Sequence, residues 1–600
     1  MVEVKVDQIV LARSALRAVA EAREIGLKKT SAEVAVVYDT LCVSGPSSRA
    51  YVEEMQASSA EIMAHGLLVA RPGVGFPAPV HLERFASPAR LCVTDEPRLA
   101  SVGGIGMLTL VVSPGMLAQA LAQGSILLRP PRSVQVLLSG RTRPFVCARD
   151  VALELVRRGL GEAVTRIEVE HHAPVVIEFA GPSARLLSVS ERAVLAGLAP
   201  QLGAAGALFV SDERTEVFLR DQRRSKAHRA LVPDAGAPCD EVLNVDLGAV
   251  DPLYMDDTGA VRSVRDLSGK PVSQVLLGGD SGTTLRDLFA ASTLLKSKRV
   301  PPRVEFLLAI PSRQMLEVLA SSGALTDLIA TGARLIEPDA RVMTGELYPP
   351  LPAGLSARTH DLEPGYASPK PAVIASAETL AYAVAYGEMG DPRSFKRPVR
   401  MTIPRALPTD DVLIVRDRKG AGDANKKAAV LAVAPPTPWK SGQTLDVVDG
   451  PGHLPGVNGK GAAAPSPNGL AVVCTTLEEV RELAARAVDI APSVRAILAP
   501  FIPSGAVSLF SGLGIVALGL DVASAKGLRG QRTLMLPAPG QWSDSEPTVL
   551  STTGPLEAAG PRAAASTGSQ KVSVTWLALG PERAWTSAGT SRPAALRTRS

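Results

Sequence analysis

"PVSQVLLGGDSGTTLRDL", residues 271–288, is the stretch whose reading decides the fold. An apolar run ends in Gly278 and Gly279, a short polar loop follows, and a helical pattern then covers 284–297. Continuous apolar runs of this length read as strands covered on both faces, which parallel sheets layered with helices require. Working outward, the same unit recurs. "AEVAVVYD" at 32–39, "RSVQVLLSG" at 132–140, "RVEFLLAIP" at 303–311 and "PAVIAS" at 371–376 have the same character, and helical stretches lie at 148–160, 312–321 and 377–387. This alternation predicts the α/β class, built from several βαβ layers.

A chain of 600 residues exceeds one core, and three or four domains are expected. The Pro-rich, basic stretch "DPRSFKRPVRMTIPRAL" at 391–407 marks a break. The chain divides accordingly into a three-domain core at 1–394, a linker at 395–407, a fourth α/β domain at 408–540 and a tail at 541–600. In the fourth domain "DDVLIVRD" and "NGLAVVCTT" restart the rhythm, ahead of a helix at 477–488, and 434–470 reads as long loops. The tail is rich in Ala, Ser and Pro and is expected to be partly disordered, its last 15 residues above all. The alternating run "KVSVTWLAL" at 571–579 is its one candidate strand.

Composition narrows the function. Aromatics make up only 4%, so the cores rest on Ala, Val and Leu. Net charge is +5 from 64 basic and 59 acidic residues, without a basic stripe, which argues against a dedicated nucleic-acid binder. The run "RDQRRSKAHR" at 220–229 has no aromatic residue to stack bases and reads as a solvated loop. Cys42, Cys92, Cys147, Cys239 and Cys474 form no C-x-x-C pair, so neither a zinc knuckle nor a redox dithiol is signalled, and the set suits free thiols in a reducing, cytoplasmic setting. No signal core opens the sequence, and no run approaches the 18 or so uninterrupted apolar residues of a membrane span. His171 and His172, placed at a strand start, would point to opposite faces and share no metal.

The stretch at 271–288 resembles the strand–loop–helix of the aconitase and isopropylmalate dehydratase superfamily of iron–sulfur hydro-lyases, where the strand ends in Gly-x-Cys-Thr-Asn. "AVIASAETLAYAVAYGEMGDPR" at 372–393 resembles that family's Ser-Pro-x-Thr-Ala-Ala helix and closing Asp-Pro-Arg. "LSVSERAVLAGLAPQLGAAGALFVSDERTEVFL" at 187–219 resembles the stretch that ends in the Asp-Glu-x-Thr strand. "TDEPRLASVGGIGM" at 94–107 falls where Asp-Ser-His-Thr and its glycines belong, and "EVRELA" at 479–484 resembles part of the mobile fourth domain. The fold implied is aconitase-like: three α/β domains around a central cleft, with a C-terminal swivel α/β domain covering it.

The resemblance also implies a [4Fe–4S] cluster on three Cys thiolates, its open iron acting as Lewis acid. It places those ligands at Asp280, Ala340 and Met343. Alanine has no donor atom and a thioether is a weak neutral ligand, so the cluster is expected to be absent, with no cofactor or metal in its stead. Glu479 and Val480 stand at the position of the family's Ser base, residues 94–100 contain no His, and an upstream Asp-His pair falls at Arg71 and Pro72. Lacking both electrophile and base, the chain is expected to be non-catalytic, with a structural, assembly or regulatory role. Two alternatives stand beside this. One is a cluster-independent hydro-lyase for a small hydroxy-di- or tricarboxylic acid, for which the motif loops show no group of cations to stabilise an enediolate-like state. The other is RNA binding in the cleft, which the charge balance disfavours. Arg358 and Arg481 read as remnants of substrate-carboxylate ligands, with structural pairing the favoured role for each. Together with Ser281 in the "GGDSGTT" loop at 278–284, they leave residual anion binding open. A protein partner or self-assembly is open as well; no pattern names one.

Overall fold

In a computed structural model, the residues described are 2–24, 26–43, 49–234, 236–351, 353–361, 372–399, 403–404, 407–409, 412–416, 442–454, 469–502, 506–507, 510–511, 513–542, 547–553 and 569–578. They build four mixed α/β units, each around its own core.

The stretch 271–288 lies at the heart of the third unit. Its strand, Val272–Gly278, is buried at all seven positions and lies between Glu305–Ala309 and Leu355–Arg358, both parallel to it. Arg334–Ile336 and Ala372–Ala375 extend the parallel set, and the antiparallel strands Leu253–Met255 and Val261–Ser263 complete the seven-stranded sheet at the Ala372–Ala375 side. Burial on both faces is why this strand alternates so little in sequence. It ends at Gly278, whose φ of +110° brings the backbone against the Ala309 carbonyl; a Cβ there would lie 1.8 Å from that oxygen. Helix Leu285–Leu295 then starts from a reciprocal cap, Thr284 Oγ1 accepting from Asp287 N and the Asp287 carboxylate accepting from Thr284 N.

The first unit has five parallel strands in the order Leu68–Ala70, Val34–Tyr38, Gln8–Leu11, Leu91–Thr94, Leu108–Val111. The second has four, in the order Gly206–Phe209, Val175–Ala180, Arg132–Ser139, Glu241–Asp246. A fourth unit is a closed seven-stranded barrel that begins with Gln443–Asp449 and Leu470–Val473 and includes Val494–Ala499 and Val516–Gly519. No described helix is long and apolar enough to cross a membrane.

The C-terminal third departs from the sequence reading. The strand within "DDVLIVRD" forms at Ile414–Val415, yet it pairs antiparallel with Leu68–Ala70 at the edge of the first sheet and not with the barrel. Two barrel strands, Thr548–Thr553 and Ser569–Trp576, come from the segment read as tail. The expected strand at 571–579 is one of them; the other was hidden by a Ser/Thr-rich composition whose inward Leu550 and Thr552 alone carry the alternation. Gln443–Asp449 likewise makes a strand inside the stretch read as loops, most of whose remainder, like the last 15 residues of the chain, lies outside the described residues. His171 ends helix Leu160–His171 and His172 caps it at φ +49°, so neither starts a strand. The buried period of Leu160, Ala163, Val164 and Ile167 carries the helix that far, and Val175 starts the strand beyond Pro174.

Candidate functional site

The C-terminal ends of the third unit's parallel strands face two segments from the other units. One is the 3-10 helix Pro97–Ile105 of the first, the other the start of helix Ala148–Arg157 of the second. Four charged side chains meet there, each with 7% exposure or less. Arg98 Nε lies 3.4 Å from Asp280 Oδ2, and its Nη2 donates to the backbone carbonyl of Asp361 at 2.7 Å. Arg149 donates to both carboxylate oxygens of Asp361, Nη1 reaching Oδ2 at 2.8 Å. Ser281 Oγ stands 3.5 Å from Asp361 Oδ2 and accepts from Asp361 N at 3.4 Å. Paired this closely, charges can remain buried that would otherwise be expelled to water.

His360 sits among them, fully buried, and among the described residues neither ring nitrogen has a hydrogen-bond partner. Burial first, then the nearby Arg358 and Arg98, hold its pKa well below the ordinary histidine range, with Asp361 opposing, so the ring is neutral. Burial alone would raise the Asp361 pKa, but Arg149 and then Arg98 bring it down to about 2. The glycine loop packs on this group: Gly279, at φ +102°, lies so close that a Cβ would sit 2.7 Å from His360 Cβ. Thr359 Oγ1 fixes the strand end by accepting from Gly278 N at 2.8 Å.

The residues singled out in the sequence separate here. Asp280 and Met343 are brought together, Asp280 N pointing to Met343 Sδ at 3.4 Å. Ala340 opens the same short helix, Ala340–Met343, with its N–H donated to the Thr40 carbonyl. At the three positions that the resemblance assigns to thiolates, the side chains are thus a carboxylate facing a guanidinium, a methyl group and a thioether. This donor set does not fit a three-thiolate mount. Among the described residues no three His, Cys, Asp or Glu side chains are grouped to hold a metal ion. All five cysteines are free, and burial pushes the Cys42 and Cys474 thiols up to about 12.

Arg358 is fully buried, but it is drawn into the sheet: Nη2 donates to the Tyr348 carbonyl at 2.6 Å and to Gln274 Oε1 at 3.3 Å. Both of these partners are neutral. The helix start behind the "GGDSGTT" loop is already served by Asp287, which leaves less of its field for an outside anion. In the fourth unit Glu479 caps helix Leu477–Ala485, accepting from Thr475 N at 2.6 Å and pairing with Arg529, while Val480 is in the barrel core. The Arg481 side chain lies outside the described residues. Arg71 and Pro72 are exposed. In the run at 220–229, Arg224 is a tether rather than a solvated residue, donating to the Glu83 carbonyl at 2.9 Å.

The sequence reading missed Arg98, Arg149, His360 and Asp361 as a group. It expected no gathering of cations near the motif loops; the fold gathers three arginines, and His360 and Asp361 lie two and three residues beyond Arg358. Their separation by up to 263 residues left no local signal for the group.

Comparison with known proteins gives the same kinship. A family model described as Aconitase family (aconitate hydratase) matches residues 11–258. The 3-isopropylmalate dehydratase large subunit 2 of Archaeoglobus fulgidus is 26% identical over 330 residues, 54% of this chain and 77% of that one. The homoaconitase large subunit of Thermus thermophilus is 32% identical over 281 residues, 46% and 63% respectively. The 3-isopropylmalate dehydratase large subunit 1 of Thermotoga maritima is 24% identical over 412 residues, covering 66% of this chain and 96% of the relative.

Proposed function

Because this chain belongs to the aconitase and isopropylmalate dehydratase superfamily, we propose that it is a non-catalytic member, in which paired charges hold the central cleft in place of a cluster. The observation that carries this reading is the pairing of Asp280 with Arg98, beside a thioether at Met343. A carboxylate neutralised by a guanidinium and a neutral sulfur replace two thiolates, and Ala340 supplies nothing. The base position supports the same reading, since Glu479 is spent on a helix cap and Val480 on a core. What remains is a scaffold with a structural, assembly or regulatory task, carried out by free-thiol protein in the cytoplasm.

The relatives are named as large subunits, and the match to one of them takes in nearly all of it but only 66% of this chain. We read the barrel that begins at Gln443 as the swivel domain, carried on the same chain. A protein partner or self-association belongs to this reading, as the relatives' names suggest.

The test is elemental analysis and visible absorbance of protein purified without oxygen, combined with assays on citrate-like and isopropylmalate-like acids. The expected result is colourless protein without stoichiometric iron or sulfide and without turnover. Brown protein with about four irons per chain would overturn the reading.

One observation favours a second reading. Arg98, Arg149 and Arg358 gather around His360, and Ser281 lies against Asp361. That is electrostatic material of the kind a cluster-independent hydro-lyase needs. The two aspartates already neutralise most of it, which is why this reading ranks second. Turnover abolished by Arg98→Ala in iron-free protein would establish it.

A further inference from the structure

A cleft of about 260 Å³ is lined by residues of the first and third units, and none of the four charged side chains of the cluster lines it. Leu316, Leu335 and Leu347 form its greasy wall, and Arg313, Glu337 and Tyr348 are its polar lining. The size falls just below the roughly 300–1,000 Å³ usual for drug-sized ligands, which suits a small molecule.

We propose that this cleft binds a free amino acid with an apolar side chain, its carboxylate on Arg313 and its ammonium on Glu337. A cation and an anion lining one cleft together with apolar side chains match a zwitterion with a hydrocarbon body. A dicarboxylate would be repelled by Glu337, and an uncharged hydrocarbon would strip water from both charges without replacing it. Arg313 is the first residue of helix Arg313–Ser321, whose N-terminal field adds to the attraction for a carboxylate. Its own ion pair with Glu317, at 3.4 Å and about 40% exposed on both sides, is of the weak surface kind that exchanges readily. Glu337 is exposed.

Tyr348, in the lining, has an unusual backbone. Its φ is +55°, a left-handed conformation that a bulky side chain rarely adopts. Arg358 holds it there through the Tyr348 carbonyl at 2.6 Å. Leu335 points in the same direction: it is 47% exposed on the terminal strand of the sheet while lining the cleft, an apolar surface that a ligand's side chain would cover. The cleft lining includes none of Asp280, Ala340 and Met343, the positions that bear on the cluster.

The test is calorimetric titration of the full chain with L-leucine and L-phenylalanine, then with 3-phenylpropionate and phenethylamine, which lack one charge each. Either amino acid is expected to bind, and each truncated analogue to bind about tenfold more weakly or worse. Glu337→Gln should weaken L-phenylalanine by a similar factor and leave 3-phenylpropionate unchanged; Arg313→Gln should do the converse with phenethylamine. Leu335→Asp, at an exposed position that does not endanger folding, should abolish binding. Absence of heat with both amino acids at millimolar concentration, equal binding of the truncated analogues, or indifference to both charge variants would overturn the proposal. Iron content, measured on the same sample, reports separately on the reading of the central cleft.

Discussion

Arg149 and Asp361 join the second and third α/β units through a two-pronged ion pair, Arg149 Nη1 donating to Asp361 Oδ2 at 2.8 Å and Nη2 to Oδ1. Both side chains are almost completely buried, and Arg98 of the first unit donates to the carbonyl of the same aspartate. One residue therefore ties three units together.

Asp361→Asn should cost about 3–5 kcal/mol in urea unfolding, because it strands buried guanidinium groups. The double variant Arg149→Met, Asp361→Leu should recover much of that loss. Acid should act along the same route. The native pKa near 2 lies below the unfolded value, so the stabilisation is present above about pH 4 and drains away as pH falls toward 2. A wild-type acid transition that coincides with that of the double variant would contradict this.

Glu378 makes the opposite pH prediction. Burial, then Asp287 and Asp150, raise its pKa to about 7 against the pull of Arg286. The native state keeps this proton where the unfolded chain has lost it, so stability falls as pH climbs from about 4.5 to 7 and the penalty persists above. Glu378→Gln should therefore raise the melting temperature at pH 8, by the equivalent of roughly 1–3 kcal/mol. The gain should vanish near pH 5, and a gain equal at both pH values would refute the assignment.

Gly279 and Gly269 both have positive φ, +102° and +78°, but only the first lies against another side chain. Gly269→Ala should cost about 1–2 kcal/mol of backbone strain. Gly279→Ala adds a Cβ 2.7 Å from that of His360 and should cost several kcal/mol more. Equal chemical denaturation midpoints for the two variants would show that the loop does not rest on His360.

Arg358→Met should lower stability by about 2–4 kcal/mol, since Gln274 Oε1 and the Tyr348 carbonyl lose a charged donor in the interior. A residue held only for a ligand's carboxylate would give a variant as stable as the parent. Thermal melts of the two proteins decide between these roles.

Much of the fold was legible because buried parallel strands leave a local mark. Val272–Gly278, Val34–Tyr38 and Glu305–Ala309 are apolar runs bounded by polar or glycine-rich turns, and each forms where its run predicts. Where a strand has one wet face and a small-residue composition, the mark fades, and the barrel strand Thr548–Thr553 passed for tail. Ile414–Val415 shows the other limit: a strand can be recognised without its partner, since pairing with Leu68–Ala70 joins positions hundreds of residues apart.

The sequence by itself determined the α/β layering, the family resemblance, and the side chains at the three positions to which that resemblance assigns thiolates. These are properties of residue type and order, and no folding can give Ala340 a donor atom. The tertiary structure alone decided which charges meet beside them. Arg98, Arg149, Asp280 and Asp361 come from three units, and charges attract according to distance in space, which only the packing of those units sets.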